Sequence, residues 1–158
     1  MYIVLNMKIF LILHNIRSEH NVGSMFRTAD AAGASKIYLT GYTPAPIDRF
    51  GRKSAKISKV ALGAEESVSW EKPESALELI QRLVRDQVEI VCVEQDKRSV
   101  DYKKFTPIKD TAYVFGDEVR GLSKEILDVA DKIIEIPMKG EKESLNVSVT
   151  AGIILFNT

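Results

Sequence analysis

Three short blocks, far apart in the chain, carry residue types suited to one shared site. They are Asn21-Val22-Gly23-Ser24-Met25-Phe26-Arg27-Thr28-Ala29-Asp30, Phe115-Gly116-Asp117-Glu118-Val119-Arg120-Gly121-Leu122-Ser123, and Ile136-Pro137-Met138 with Ser144-Leu145-Asn146-Val147-Ser148. In the first, Asn21 and Gly23 open a helix just after an apolar run, and small residues at such a turn expose backbone N–H groups. Arg27, in the second turn, has the planar fork that grips a phosphate bidentately. The competing reading pairs Arg27 with Asp30 or Glu19 as a surface ion pair. In the second block, Gly116 and Gly121 bracket a tight loop whose backbone could wrap a ligand. Its acidic residues disfavour a triphosphate and suit a cationic ligand or a ribose hydroxyl. Glu118 and Arg120 could instead pair with each other. In the third block, Ser144 reads either as a plain helix cap and Asn146 as solvent-facing, or both as site residues.

Other chemistries find little support. The chain has no phosphate-binding P-loop, no GxGxxG, no GxSxG elbow and no cluster with metal-ligand spacing. His14 and His20 read as structural. The single cysteine, Cys92, lies in an apolar run and reads as a buried hydrophobe rather than a nucleophile. Nothing points to an oxidising compartment.

The elements that must position these blocks follow from apolar periodicity. Strands are predicted over 8–13, 36–40, 88–93, 112–115 and 132–136, with a further short one at 68–70. Helices are predicted over 21–32, 53–61, 74–86, 123–129 and 145–156. Ser18 or Asn21 caps the first helix, and Gly33 ends it. Pro73 precedes an acidic-start helix with an apolar stripe of Leu77, Ile80, Leu83 and Val84. Ser123 is the expected cap of the 123–129 helix. The alternation argues for an α/β fold with a mainly parallel sheet flanked by helices. The second block then sits at the carboxyl end of a strand, where such sheets bind ligands.

At 158 residues the chain is expected to be one domain over 1–158. Its formal net charge of zero hides an uneven distribution. Arg49, Arg52, Lys53, Lys56 and Lys59 face only Asp48 within their own segment, so a local basic track could follow a phosphate backbone. A solvated loop and helix face is the bland alternative. The apolar N-terminus is broken by Asn6 and Lys8 and is too short to span a bilayer. Met7 is a candidate natural start, with the first six residues an extension.

Taken together, the blocks resemble the three signature motifs of the SpoU (TrmH-type) branch of the SPOUT RNA methyltransferases. The resemblance runs from about Lys8 to Phe156 and includes Asn15–Gly23 and Ala61–Glu65. It implies an α/β domain with a C-terminal trefoil knot, which general topology rules would argue against. It further implies S-adenosylmethionine held in the knotted loops, a homodimer with its site near the subunit interface, and a cytoplasmic location. It implies no metal and no membrane, and a reaction that transfers a methyl group to a ribose 2′-hydroxyl of tRNA or rRNA. By the same resemblance Asn21, Arg27, Glu118, Ser144 and Asn146 are catalytic. Gly116, Ile136, Met138, Leu145 and Ser144 bind the cofactor. RNA contacts fall to Arg27, Arg49, Arg52, Lys53 and Lys56. A sulfonium beside Glu118 turns the acidic loop into an asset. Arginine is almost always protonated, so Arg27 is read as holding the ribose-phosphate and steadying the developing alkoxide, not as the base. A catalytically silent RNA-binding relative is the alternative, against which the full set of polar residues counts. The sequence ends soon after the third block, which leaves two expectations open: dimer packing through the last helix that differs from longer relatives, or a chain cut short there. No separate RNA-binding domain precedes the first block, so RNA recognition is expected from segment 49–59 and the partner subunit.

Overall fold

A computed structural model describes residues 6–157. The proposed extension over the first six residues lies, but for Asn6, outside them. The elements run β1 (Ile9–His14), α1 (Glu19–Ala31), β2 (Lys36–Thr40), α2 (Ala55–Ala61), α3 (Ala64–Ser67), β3 (Trp70–Glu71) and α4 (Ala76–Arg85). There follow β4 (Glu89–Val93), β5 (Val100–Asp101), β6 (Thr111–Phe115), α5 (Lys124–Val129), β7 (Lys132–Glu135) and α6 (Val147–Leu155). The strands make one seven-stranded sheet in the order β3-β2-β1-β6-β4-β7-β5. Every pairing is parallel.

Both faces of the sheet are covered, because consecutive residues of each central strand are buried and point alternately to the two faces. Leu11, Leu13, Ile37, Leu39, Val91, Tyr113 and Phe115 point into one core with α1, α2, α3 and α6. Ile12, Tyr38, Ile90, Cys92, Ala112 and Val114 point into the other, with α4 and α5. Burial pushes the Cys92 thiol up to about 12, so it is no nucleophile at neutral pH.

The helix boundaries follow capping chemistry. Ser18, Ser54, Ser75 and Ser123 each accept a hydrogen bond from the backbone N–H three residues on. Ser75 as cap puts Glu74 before α4, two residues beyond the predicted start. Gly33, at φ +73°, follows the end of α1. Three short pieces went unpredicted: α3, β5 and the 3-10 turn Tyr102–Lys104. None is long enough to show a period.

Helices α1 and α2 cross at Gly23. A Cβ there would lie 2.7 Å from the Ile57 carbonyl oxygen and 3.1 Å from Val60 Cβ. Inside a helix, glycine to alanine ordinarily stabilises by roughly 0.5–1 kcal/mol. At this crossing Gly23→Ala is expected instead to destabilise the fold by about 1–2 kcal/mol. Urea denaturation measures it, and an unchanged or higher midpoint would show that the crossing tolerates the methyl group.

Candidate active site

The loops leaving the carboxyl ends of β4, β6 and β7 enclose a cavity of about 320 Å³. A parallel sheet presents its ligand-binding crevice at this edge. Gly116, Glu118, Ile136, Met138, Ser144 and Leu145 all line the cavity. Residues from the second and third sequence blocks therefore share one wall.

Asn21 and Asn146 join them through hydrogen bonds. Asn21, in the first turn of α1, is nearly buried. Its Nδ2 donates to Glu118 Oε1 at 2.7 Å. Asn146 Nδ2 donates to Asn21 Oδ1 at 3.2 Å. The Val147 N–H points to Glu118 Oε1 at 3.5 Å. The carboxylate can only accept, which fixes the orientation of the Asn21 amide and in turn that of Asn146. The alternative Glu118–Arg120 pair is not among the ion pairs of the described residues, and Glu118 accepts from Asn21 instead. The reading of Ser144 as cap is corrected, while Asn146 stays exposed to solvent even as it bonds Asn21. Asn146 caps α6, accepting from Ser148 N at 2.9 Å and from Ser148 Oγ at 2.6 Å. The helix accordingly starts at Val147, two residues later than expected.

Other side chains set the shape of the 116–122 loop. Asp117 Oδ1 accepts from the N–H groups of Val119 (2.6 Å) and Arg120 (3.2 Å), while Oδ2 accepts from the Tyr42 hydroxyl at 2.7 Å. The Tyr42 bond, then the Val119 N–H, hold the Asp117 carboxyl below the usual range. Glu94 Oε2 accepts from Leu122 N at 2.9 Å and Oε1 from Gln95 N at 3.1 Å. Gly121, at φ +65°, lies against that carboxylate, and a Cβ there would come within 2.5 Å of Glu94 Oε2. Gln95 Nε2 donates to the Glu143 carbonyl at 2.7 Å, joining the loop after β4 to the third block. The sequence reading missed Glu94, Gln95 and Tyr42. Glu94 and Gln95 carried a usable signal, since they follow a buried strand at its carboxyl end. Tyr42, in a loop between Gly41 and Pro44, carried none.

Arg27 is not brought to the cavity wall. Six residues along a helix carry it about 9 Å up the axis from Asn21 and roughly 240° around. It is exposed and forms no hydrogen bond or ion pair among the described residues. The suggested partners are otherwise engaged. Asp30 accepts from Ser67 Oγ at 2.9 Å. Glu19 accepts from Ser54 Oγ at 2.7 Å and lies 3.6 Å from Lys56. The basic segment is less naked than its local sequence indicates. Arg52 pairs with Asp48 at 2.8 Å and Lys53 with Glu66 at 3.1 Å, while Glu19 comes from α1 to meet Lys56. The pairs of Arg52 and Lys53 are exposed, so each is weak and readily exchanged for another anion, whereas Glu19 of the third is half-buried. Arg49 has no carboxylate partner among the described residues and sits 4.8 Å from the centre of the Phe50 ring. His14 bonds Thr40 Oγ1 at 2.8 Å, a structural role, and its burial lowers its pKa.

The profile of the SpoU rRNA Methylase family matches residues 8–156. The tRNA (guanosine(18)-2′-O)-methyltransferase of Aquifex aeolicus is 36% identical over 143 residues, which are 90% of this chain and 64% of that protein. The 23S rRNA (guanosine-2′-O-)-methyltransferase RlmB of Neisseria meningitidis is 33% identical over 95% of this chain and 57% of its own length. The chain therefore spans about three fifths of these relatives. Among solved structures, the AdoMet-bound rRNA methyltransferase from Sinorhizobium meliloti superposes with a TM-score of 0.81 at 29% identity, covering 95% of this chain and 55% of that one.

Proposed function

The chain belongs to the SpoU rRNA Methylase family, and on that premise we propose that it transfers a methyl group from S-adenosylmethionine to a ribose 2′-hydroxyl of tRNA or rRNA. The observation that carries this reading is the hydrogen-bonded join of Asn21, Glu118 and Asn146 at the rim of the cavity. The cavity suits the cofactor. Its volume falls within the ordinary small-ligand range of about 300–1,000 Å³. Ile136, Met138 and Leu145 offer apolar contact, Gly116 offers close backbone, and Glu118 offers negative charge to a sulfonium. When bound, S-adenosylmethionine supplies a strongly electrophilic methyl group.

The residues of the chain then have two tasks. Glu118 and Asn146, locked by Asn21, hold the reacting region in line, which is where much of the acceleration of such a transfer arises. Arg27 holds the ribose-phosphate and stabilises charge developing on the attacking oxygen. Its place outside the cavity is met by a homodimer in which Arg27 of one copy approaches the site of the other. Val149 of α6 and Phe156, just after it, stand exposed, and α6 packs beside α1, so the two offer the apolar surface for that pairing. Ser144 completes the wall, and Arg49, Arg52, Lys53 and Lys56 are outer RNA contacts. The family's trefoil knot, one unit over 1–158 and a cytoplasmic location belong to the same proposal. No helix among the described residues is long and apolar enough to cross a membrane.

Isothermal titration with S-adenosylmethionine, followed by mapping of ribose methylation in total RNA with and without the gene, tests the reading. The expected result is cofactor binding and loss of a 2′-O-methyl mark when the gene is absent. Absence of cofactor binding would remove it. Binding of RNA without any transfer would favour a catalytically silent relative.

A further inference from the structure

A second cleft, of about 230 Å³, opens beside the cofactor cavity and shares its wall from Asp117 to Arg120. Arg17 forms part of its other wall. A third and wider cleft, of about 660 Å³, starts where the second ends. Arg17 lines both, and Lys56 and Lys59 of α2 line the far side. The three recesses are thus contiguous, running from the cavity mouth to α2.

The first recess is acidic, but along the second and third the charge left unengaged is positive. Both oxygens of Asp117 are filled by Tyr42, Val119 and Arg120 donors. Glu118 is held by Asn21, and Glu19, the acid of the third cleft, by Ser54 and Lys56. Arg17, Arg120 and Lys59 form no ion pair among the described residues, although Asp117 feels the charge of Arg17. The Arg17 guanidinium lies 5.3 Å from the centre of the Tyr42 ring, which is about half exposed at 47%. A guanidinium plane and an aromatic edge at the same spot suit an unpaired base and its phosphate.

Resting on the methyl-transfer reading above, we propose that these contiguous clefts are the path of a single RNA strand. Its backbone leaves the methylated nucleotide between Arg17 and Arg120 and continues over Lys59 and Lys56. The path joins Lys56 and Lys59 of the basic segment to Arg17, to which the sequence reading assigned no role.

The test compares Arg17→Gln and Lys59→Gln with Lys109→Gln. All three remove one positive charge, but Lys109 lies just before β6, at the amino ends of the strands and the opposite edge of the sheet. Binding of a short fluorescently labelled single-stranded RNA of mixed sequence is measured by anisotropy at several salt concentrations, with cofactor affinity followed by titration. Arg17→Gln and Lys59→Gln are each expected to weaken RNA binding about threefold to tenfold and to lower the salt slope by about 0.7. Cofactor affinity should not change, and Lys109→Gln should shift RNA binding less than about twofold. Equal RNA affinity in all three variants, with the wild-type chain binding RNA, overturns the path alone. A wild-type chain that binds cofactor but no RNA overturns the proposed substrate and the path with it.

Discussion

Replacing Arg27 with lysine is expected to slow methyl transfer about a hundredfold, and replacing it with alanine about a thousandfold, the range found when a positioned charge-stabilising donor is removed. Lysine keeps the charge but loses the planar fork. If Arg27 grips a phosphate through two parallel hydrogen bonds, a point charge on a flexible stem is a poor substitute. Because Arg27 does not line the cavity, both variants should bind S-adenosylmethionine as the wild type does. The expected signature is a fall in single-turnover rate at constant cofactor affinity. A lysine variant with full turnover would remove the fork from the mechanism. A changed cofactor affinity would place Arg27 against the cofactor rather than the RNA.

The second large effect concerns the Asn21–Glu118 bond. Asn21→Ala and Glu118→Ala are each expected to lower turnover about a hundredfold, and the double variant by about the same amount as either, because the two act as a unit. Glu118→Ala should also cost about 1–3 kcal/mol of stability, since it leaves the nearly buried Asn21 amide without its acceptor. Glu118→Gln separates the two roles of the carboxylate. It retains an oxygen for Asn21 but removes the charge. Stability should stay within about 0.5 kcal/mol of wild type, while cofactor binding weakens about fivefold, as for a partly exposed ion pair worth about 1 kcal/mol. Single-variant losses that simply multiply in the double variant would show that the bond does not couple the two residues.

Much of the fold could be read from the chain because its signals are local. The apolar runs around Leu11, Leu39, Val91, Val114 and Ile133 sit in strands because a parallel sheet covered on both faces needs continuous apolar sequence. Ser18 and Ser123 marked two helix starts, because their capping bonds span only three residues. The short pieces β5 and α3 were not visible, because two to four residues cannot display a period and owe their conformation to neighbours. The site was legible in part for a related reason. Gly116, Ile136, Met138, Ser144 and Leu145 were named from the motif resemblance, and they line one cavity. The ionic partners of the basic segment were not legible, since Glu19 and Glu66 come from outside it.

The sequence by itself determined which residues could form strands, which could start helices, and which motif residues had chemistry to offer. Those properties depend on near neighbours and on side-chain type. Only the tertiary structure decided who meets whom. Asn21 bonds Glu118 across 97 positions and Asn146 across 125, and Glu94 reaches 28 positions to hold the loop around Gly121. No short-range rule specifies such pairs, because they exist only once the parallel sheet has brought its carboxyl ends together. The same assembly left Arg27 facing away from the cavity on its helix and joined Arg17 to Lys59 along one groove. The first block therefore splits, with Asn21 turned to the site within its own chain and Arg27 turned outward.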